Sequence, residues 1–307
     1  MPKKLKMPRL EDNLITGKLD NFLKERGKRH RHYRIYGTIP RLIDNHYHLN
    51  RLYLSDGSNW NDKIDANTFS NTSSGLKYYG ACFSFSSEES VAMWMLYGGL
   101  YDEGAMFNFT NKYMNTIVEL CDSIYFGNFN KGNFEIKKTL TRKDYNIYLK
   151  DVLYYTKNKN GTYNVLHDKT AKRGIGNNII NDALPAFKEM PWSYENEVRL
   201  IIEVKDPNLV SDCKFVYIDL NKIENQYKKN TNKSLFKANN SLFCSPKFLI
   251  ENYYKNCTVY VNVPNKRNVK IKRSSLTGRI NWQLTQALKN PSSYYAKITK
   301  DKVIITK

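Results

Sequence analysis

Residues 77–99, KYYGACFSFSSEESVAMWMLYGG, constrain the fold most strongly, because an apolar strand here leads directly into a helix. The aromatic, small and apolar residues of Lys77–Phe85 predict a buried strand. Ser86 and Glu89 match the S-x-x-E capping box, and helix-forming residues continue to Tyr97, where two glycines follow. The chain must therefore combine sheet and helix within one folded body.

Short strands and helices alternate irregularly along the rest of the chain. Residues 10–23 and 111–126 have helical spacing of apolar residues, whereas HYRIYGTI, GAMFNFT, DVLYYTK, VRLIIEV and KFVYIDL are typical of strands. These elements are too short and too irregularly ordered for a regular βαβ array, so we predict an α+β fold. After Leu220 the sequence becomes rich in lysine and asparagine, which predicts a boundary between residues 1–220 and 221–307.

The positive charge is concentrated at the two ends of the chain. The formal net charge is +20; residues 1–34 hold 11 Lys/Arg against 4 Asp/Glu, and residues 221–307 hold 18 against 3. Such ends favour a polyanionic partner, and RNA is expected more than DNA. The alternative is that lysine and asparagine abundance reflects composition alone, although a bias of that kind would spread the charge more evenly.

Several classes of protein are disfavoured by the composition. With 41% apolar residues the chain can build a core, so disorder is not expected. No apolar run approaches the roughly 18 residues of a membrane span, and the charged N-terminus lacks a signal-peptide core, so we expect a cytoplasmic protein. The five cysteines are scattered and the paired histidines lack further ligands at standard spacing, so neither disulfides nor a metal site is expected.

The segment PWSYENEVRL, residues 191–200, places two glutamates one residue apart. Its alternation predicts a strand from Trp192 that carries Glu195, Glu197 and Arg199 on one face, with successive same-face residues about 6.6 Å apart. Each carboxylate would perturb the pKa of the other, while Arg199 could offset one charge. That face either lines a cleft or is a solvated surface with a local Glu197–Arg199 pair.

Two further groups of residues could complete a binding site. Ser84 and Ser86 lie at the end of a strand, where hydroxyls can bond a ribose, and the following helix offers Trp94 and Tyr97 for stacking on a flat ring. The alternative is that both aromatic residues belong to the core. Arg34 lies in a predicted buried strand, where an arginine normally has an anionic partner such as a carboxylate or a phosphate.

An arginine on an early strand, a serine at the end of a middle strand and E-x-E on a later strand resemble the R–S–E signature of the ADP-ribosyltransferase superfamily. The matching residues are Arg34, Ser84 and the pair Glu195/Glu197. The blocks YR, ND, ACFS, MW, G-x-x-F and K-x-x-x-W-x-Y-E-x-E-x-R also resemble a largely uncharacterised bacterial domain family. The resemblance covers roughly residues 30–205 and departs in one place, where S-F-S replaces the common S-T-S.

The resemblance implies an ADP-ribosyltransferase-like split β-sheet in residues 1–220, with NAD as the substrate and no metal. By this resemblance, Glu197 would bind the nicotinamide ribose and stabilise an oxocarbenium-like transition state. Glu195 would orient or deprotonate the acceptor. Arg34 would hold the NAD phosphates or ribose, and Ser84 or Ser86 the nicotinamide ribose. Trp94 or Tyr97 would stack on nicotinamide.

Bacterial enzymes of this kind are often toxins, so the resemblance implies a toxin–antitoxin or phage-defence role. Nucleic acid, such as mRNA, would be the acceptor, and an antitoxin protein and a chaperone would be partners. Residues 221–307 would bind nucleic acid or a partner. Three alternatives remain: transfer to a protein arginine, a non-catalytic nucleic-acid-binding protein, and a glycoside hydrolase, whose inverting members need carboxyls roughly 6.5–9.5 Å apart.

Overall fold

The structure is a computed structural model, and it describes the following residues: 17–38, 42, 50–70, 75–87, 90–97, 104–167, 171–175, 181, 184–235, 240–244, 262–263, 267–268, 270–273, 294–299 and 302–306. In these ranges the chain is α+β, as predicted, with mainly antiparallel strand pairs. The helices are α1 Leu19–Gly27, α2 Lys63–Ser70, α3 Val91–Tyr97, α4 Asn111–Leu120 and α5 Leu220–Thr231.

The strands are named in chain order. They are β1 His32–Thr38, β2 Arg51–Ser55, β3 Lys77–Ser84, β4 Gly104–Thr110, β5 Ser123–Asn130, β6 Asn133–Thr141, β7 Tyr145–Asp151, β8 Leu153–Lys157, β9 Tyr163–His167, β10 Ala171–Ile175, β11 Phe187–Glu189, β12 Glu197–Val204, β13 Phe215–Asp219, β14 Asn240–Cys244, β15 Asn262–Val263, β16 Arg267–Asn268, β17 Lys270–Arg273, β18 Tyr294–Thr299 and β19 Lys302–Thr306.

Contacts divide the chain into two compact units. Unit 1 comprises residues 1–31, 53–85 and 114–219, and unit 2 comprises residues 32–52, 86–113 and 220–307. Both units are assembled from segments that lie far apart in the sequence. The predicted boundary between residues 1–220 and 221–307 stays a prediction.

Unit 1 contains a sheet with the strand order β7-β12-β3-β2-β13-β5-β6 and a smaller sheet with the order β10-β9-β8-β11. Strand β12 lies between β3 and β7, and every side chain from Glu197 to Ile202 is buried. A central strand is covered on both faces, which accounts for the consecutive apolar residues Leu200, Ile201 and Ile202, while Glu197 and Arg199 are buried as charged residues. Helix α1 packs beside β7, and Leu19, Phe22 and Leu23 join Leu153 and Phe187 in one core cluster.

Unit 2 is organised around β1, β4 and β14, where β4 pairs antiparallel with both neighbours. Strands β17, β18 and β19 continue from β14, and β18 with β19 forms a hairpin, which the segment YYAKITKDKVIITK predicts. Tyr36, Met93, Trp94 and Met106 form a core cluster in this unit. The segments SPKFLIENYYKN (245–256) and SLTGRINWQLTQALKN (275–290) predict helices, and both lie outside the described residues.

Several predictions of secondary structure were wrong. Residues 57–74 are polar and predict a loop, but helix α2, Lys63–Ser70, lies within them. The predicted strand from Trp192 is instead a 3-10 turn, Met190–Glu195, because Pro191 suits the first turn of a helix and Asn196, at φ 46°, ends it in the left-handed conformation. The helix predicted for residues 111–126 ends at Leu120, and β5 follows. The Ile-Tyr-Phe run of β5 has high strand propensity, and β5 forms a strand because β6 pairs with it.

Candidate functional site

Lys188 lies between Glu195 and Glu197, the two glutamates of the segment PWSYENEVRL. It lies on β11, and its Nζ donates to Glu195 Oε2 at 2.6 Å and to Glu197 Oε2 at 3.1 Å. Glu195 is at the end of the 3-10 turn and Glu197 is the first residue of β12, so the two do not share a strand. The ammonium between them offsets the mutual repulsion on which the expected pKa perturbation depended.

Arg199 connects this pair to a third carboxylate. Its Nε donates to Glu197 Oε1 and its Nη2 to Asp65 Oδ2, both at 2.6 Å, while Nη1 donates to the Pro185 carbonyl at 2.7 Å. Lys188 Nζ also approaches Asp65 Oδ2 at 3.6 Å. The predicted Glu197–Arg199 pair therefore exists, but it is buried rather than part of a solvated surface.

The charge cluster formed by Asp65, Lys188, Glu195, Glu197 and Arg199 is at most 6% exposed at any member. It holds three carboxyl groups against two cations. Burial would raise the pKa of Glu197, but the charges of Arg199 and Lys188 outweigh it and hold the pKa well below its usual value. Burial, together with the Glu197 charge, raises the pKa of Asp65. Of Asp65 and Glu197, Asp65 is thus the carboxyl that holds a proton more readily, which would balance the cluster.

Aromatic rings surround the cations of the cluster. The Arg199 guanidinium lies 4.9 Å from the centre of the Trp60 ring and 5.6 Å from that of Phe69, and Lys188 Nζ lies 4.9 Å from the centre of the Trp192 ring. The low polarity of these neighbours strengthens the electrostatic interactions inside the cluster.

Two small polar residues of β3 lie opposite the cluster residues of β12. Ser84 pairs with Glu197, and Cys82 pairs with Arg199, in the antiparallel register. Residues directly opposite each other project to the same face, so all four belong to one side of the sheet. Burial and the nearby Glu197 charge raise the pKa of Cys82, which keeps its thiol protonated and weakly nucleophilic.

Arg34, the remaining member of the R–S–E set, lies on β1 in unit 2. It is only 8% exposed, and its Nη2 donates to the Ser87 carbonyl at 3.0 Å. Its Nε and Nη1 are buried and have no hydrogen-bond partner in the described part of the chain. Asn108 pairs with Arg34 across β1 and β4, and its buried Oδ1 also has no hydrogen-bond partner there. Two donors and one acceptor are thus available to a ligand.

The other predicted ligand-binding residues are in unit 2 as well. Trp94 is 5% exposed and packs edge-on against Tyr36 with ring centres 5.1 Å apart, so it contributes to the core. Tyr97 is 36% exposed at the end of α3. Ser86 is partly exposed, and the prediction that it caps α3 was wrong, because the helix begins at Val91 and the Ser90 hydroxyl accepts from the Met93 amide at 3.4 Å.

The structure therefore brings Ser84, Glu195 and Glu197 together in unit 1 and places Arg34, Ser86, Trp94 and Tyr97 in unit 2. Sequence reasoning did not assign roles to three residues of this region: Lys188, Asp65 and Tyr154. Lys188 is the first residue of the K-x-x-x-W-x-Y-E-x-E-x-R block, so the motif contained a signal for it. Asp65 and Tyr154, whose hydroxyl accepts from the Glu197 amide at 2.9 Å, carried no such signal.

Comparison with known proteins adds no family assignment: no family model, no curated protein and no solved structure matches the chain. The resemblance to ADP-ribosyltransferases therefore rests on the motifs alone. Within the described residues no group of three or more His, Cys, Asp or Glu side chains is placed to hold a metal ion. The same residues include no helix long and apolar enough to cross a membrane.

Proposed function

We propose that this chain is a mono-ADP-ribosyltransferase that uses NAD and modifies nucleic acid, with the split β-sheet of that superfamily. The observation that carries the proposal is the pairing of Ser84 with Glu197 across β3 and β12, beside Glu195. Ser84 and Glu197 are separated by more than 100 residues in the sequence, yet they occupy one face of one sheet, and Glu195 adjoins Glu197 through Lys188. A toxin–antitoxin or phage-defence role, with an antitoxin and a chaperone as partners, belongs to this proposal.

In the proposed reaction the bond between the nicotinamide nitrogen and C1′ of its ribose breaks, and the electron pair leaves with nicotinamide. An acceptor atom of the nucleic acid then bonds to C1′ and releases its proton to Glu195. Burial would raise the pKa of Glu197, but the charges of Arg199 and Lys188 outweigh this effect and keep the pKa low. Glu197 therefore stays ionised at neutral pH. A fixed negative charge of this kind stabilises a developing oxocarbenium ion.

Unit 2 by itself contains polar groups that have no partner among the described residues. A buried guanidinium with two such donors favours an anion, and a diphosphate such as that of NAD is one. Asn108 Oδ1 would accept a hydrogen bond from a hydroxyl or amino group of the same ligand. Buried polar groups without partners are uncommon in folded proteins, so Arg34 and Asn108 together indicate a ligand.

A second candidate function is a non-catalytic nucleic-acid-binding protein in which the charge cluster only stabilises the fold. The low exposure of Glu195 (3%) and Glu197 (2%) and their ion pairs favours this candidate. It predicts that the glutamates contribute to stability and that NAD is not consumed.

The test compares wild type with Glu197→Gln in nicotinamide release and in transfer of radiolabel from NAD to RNA, DNA or protein. Glu203→Gln is the matched control, because Glu203 lies on the same strand and accepts hydrogen bonds from Asn146 and Tyr148 outside the cluster. We expect Glu197→Gln to reduce turnover by about 10²-fold or more and Glu203→Gln to retain it. Circular dichroism and thermal melting verify that both variants fold.

Label on nucleic acid that is lost in Glu197→Gln supports the proposal, and label on protein alone supports arginine-type transfer instead. Absence of NAD turnover in every mixture, together with a lower melting temperature for Glu197→Gln, establishes the non-catalytic candidate. A folded Glu197→Gln variant with full activity overturns the assignment of Glu197.

A further inference from the structure

His30 connects the ends of the two strands of unit 1 that flank β12. Its Nε2 lies 2.5 Å from Asp151 Oδ1, at the end of β7, and its ring stacks on Phe85, directly after β3, with ring centres 4.0 Å apart. The side chain is only 7% exposed. An ionised carboxylate accepts hydrogen bonds and cannot donate them, so His30 Nε2 is the donor in this contact. We name His30, Asp151 and Phe85 the histidine clamp.

Helix α1 brings His30 to the end of β7. Gly27 ends the helix so close to β7 that a Cβ there would lie 2.7 Å from the carbonyl carbon of Leu149, and only glycine permits this approach. One residue earlier, Arg26 Nε donates to Asp151 Oδ2 at 3.0 Å. Both oxygens of the Asp151 carboxylate are thus bound by the chain at the end of α1, which fixes its orientation.

The two strand ends held by the clamp bind the backbone on either side of the peptide that leads into Glu197. The amide of Val152, which follows Asp151, donates to the Glu197 carbonyl at 3.1 Å, and the Phe85 amide donates to the Asn196 carbonyl at 2.8 Å. Asn196 has φ 46°, in the left-handed region. A non-glycine residue keeps this conformation where surrounding contacts fix it. These two hydrogen bonds therefore set the direction in which the chain enters β12.

The Asp151 carboxylate lies on the face of the sheet opposite the charge cluster. Val198 pairs with Asp151 on β7 and with Phe83 on β3, so these three side chains project to one face. Strand alternation directs Glu197, the preceding residue of β12, to the other face. His30 therefore influences the Glu197 carboxylate through the backbone that the clamp holds.

We propose that His30 is a positioning residue for the transferase. By holding the ends of β7 and β3 it fixes the backbone of Asn196 and Glu197, and with it the angle at which the Glu197 carboxylate meets the nicotinamide ribose. A displacement of about 1 Å at a reacting group can lower a rate by about 10²-fold. The catalytic consequence rests on the proposed function, whereas the backbone constraint rests on the contacts of the clamp alone.

The test compares the NAD turnover of wild type, His30→Phe and His30→Gln. Phenylalanine keeps a ring to stack on Phe85 but removes the donor to Asp151, whereas glutamine restores an N–H donor. We expect kcat to be about 10- to 100-fold lower in His30→Phe with KM changed by less than about 2-fold, and His30→Gln to recover part of the loss. Lys24→Met is the matched control and should keep kcat, because Lys24 also joins α1 to β7 but lies over the Tyr148 ring, at 4.0 Å, three residues before the strand end.

Amide hydrogen exchange on the same proteins gives a measurement that does not require turnover. In His30→Phe the amides of Val152 and Phe85 should exchange at least about 10-fold faster than in wild type, because each lies at a strand end that the clamp no longer holds. The amides shared by β5 and β6, which are distant in the strand order, should keep their rates. A role in global stability alone would accelerate both sets of amides together.

In an active wild type, an unchanged kcat in folded His30→Phe overturns the inference, and so does equal acceleration of both sets of amides. Local acceleration at Val152 and Phe85 without NAD turnover in wild type supports the clamp and rejects the proposed enzyme. NAD turnover in wild type together with unchanged exchange in His30→Phe retains the enzyme and rejects the clamp.

Discussion

Replacing Lys188 with methionine would remove the buried ammonium that lies between Glu195 and Glu197. The lost contacts are hydrogen bonds of 2.6 and 3.1 Å and an approach of 3.6 Å to Asp65, all within a cluster at most 6% exposed. Each of the two charge-assisted hydrogen bonds contributes about 1.5–3 kcal/mol to stability. Part of this loss is offset, because the variant no longer has to bury the charge of the lysine. We expect the free energy of unfolding to fall by about 3–5 kcal/mol, as for other broken buried pairs.

The same variant should acquire a pH dependence that differs from that of wild type, in which Arg199 and Lys188 hold the pKa of Glu197 low. With only Arg199 left to offset three buried carboxyls, burial would raise their folded-state pKa values above those of the unfolded chain. The folded state then binds more protons, so stability is retained below the unfolded pKa of about 4.3 and is lost as pH rises above it. Lys188→Met should therefore be more stable relative to wild type at pH 5 than at pH 8.

Urea denaturation at both pH values, followed by circular dichroism, measures these changes. Lys137→Met is the matched control, since Lys137 pairs with Asp212 at 2.8 Å but both side chains are exposed, and its loss should leave the free energy of unfolding almost unchanged. A loss for Lys188→Met as small as that of the control, or one that does not change between pH 5 and pH 8, would refute the interpretation of the cluster as a buried charge network.

Three further predictions concern the charge balance, the lysine on β7 and a glycine on β3. Asp65→Asn should change the free energy of unfolding by no more than about 1 kcal/mol, because burial raises the pKa of Asp65 and an amide oxygen can still accept from Arg199. Urea denaturation measures this change, and a loss near that of Lys188→Met would contradict the prediction. Burial lowers the pKa of Lys150 to about 8, against about 10.4 in the unfolded chain, so the unfolded chain binds more protons between these values. The free energy of unfolding of wild type should therefore rise by about 2–3 kcal/mol relative to Lys150→Met from pH 8 to pH 10. An equal difference between the two proteins at both pH values in urea denaturation would argue against this. Gly80→Ala would place a Cβ 2.6 Å from Phe69 Cζ, and the displaced ring should lower stability by about 1–3 kcal/mol in thermal melting, whereas an unchanged melting temperature would show that Phe69 can move freely.

The elements with strong local signals were predicted correctly. The strand from Lys77, the helix ending at Tyr97 and the strand Gly104–Thr110 follow from strand-forming residues, helix formers and glycine stops, and the structure confirms all three. Residues 190–195 were mistaken for strand because alternation alone cannot register a proline at a helix start followed by a left-handed asparagine. The β5–β6 hairpin was missed for a different reason, since each strand depends on its partner for its hydrogen bonds.

The sequence by itself determined that this chain is a basic α+β protein and that Glu195, Glu197 and Arg199 are a coherent group, because charge and short-range spacing are local properties. Only the tertiary structure decided that Lys188 and Asp65 complete the group, that Ser84 lies opposite Glu197, and that two donors of Arg34 have no partner among the described residues. Those relationships depend on strand pairing and burial between residues distant in the chain. The pKa directions depend on them in turn, since burial and neighbouring charges exist only in the folded state.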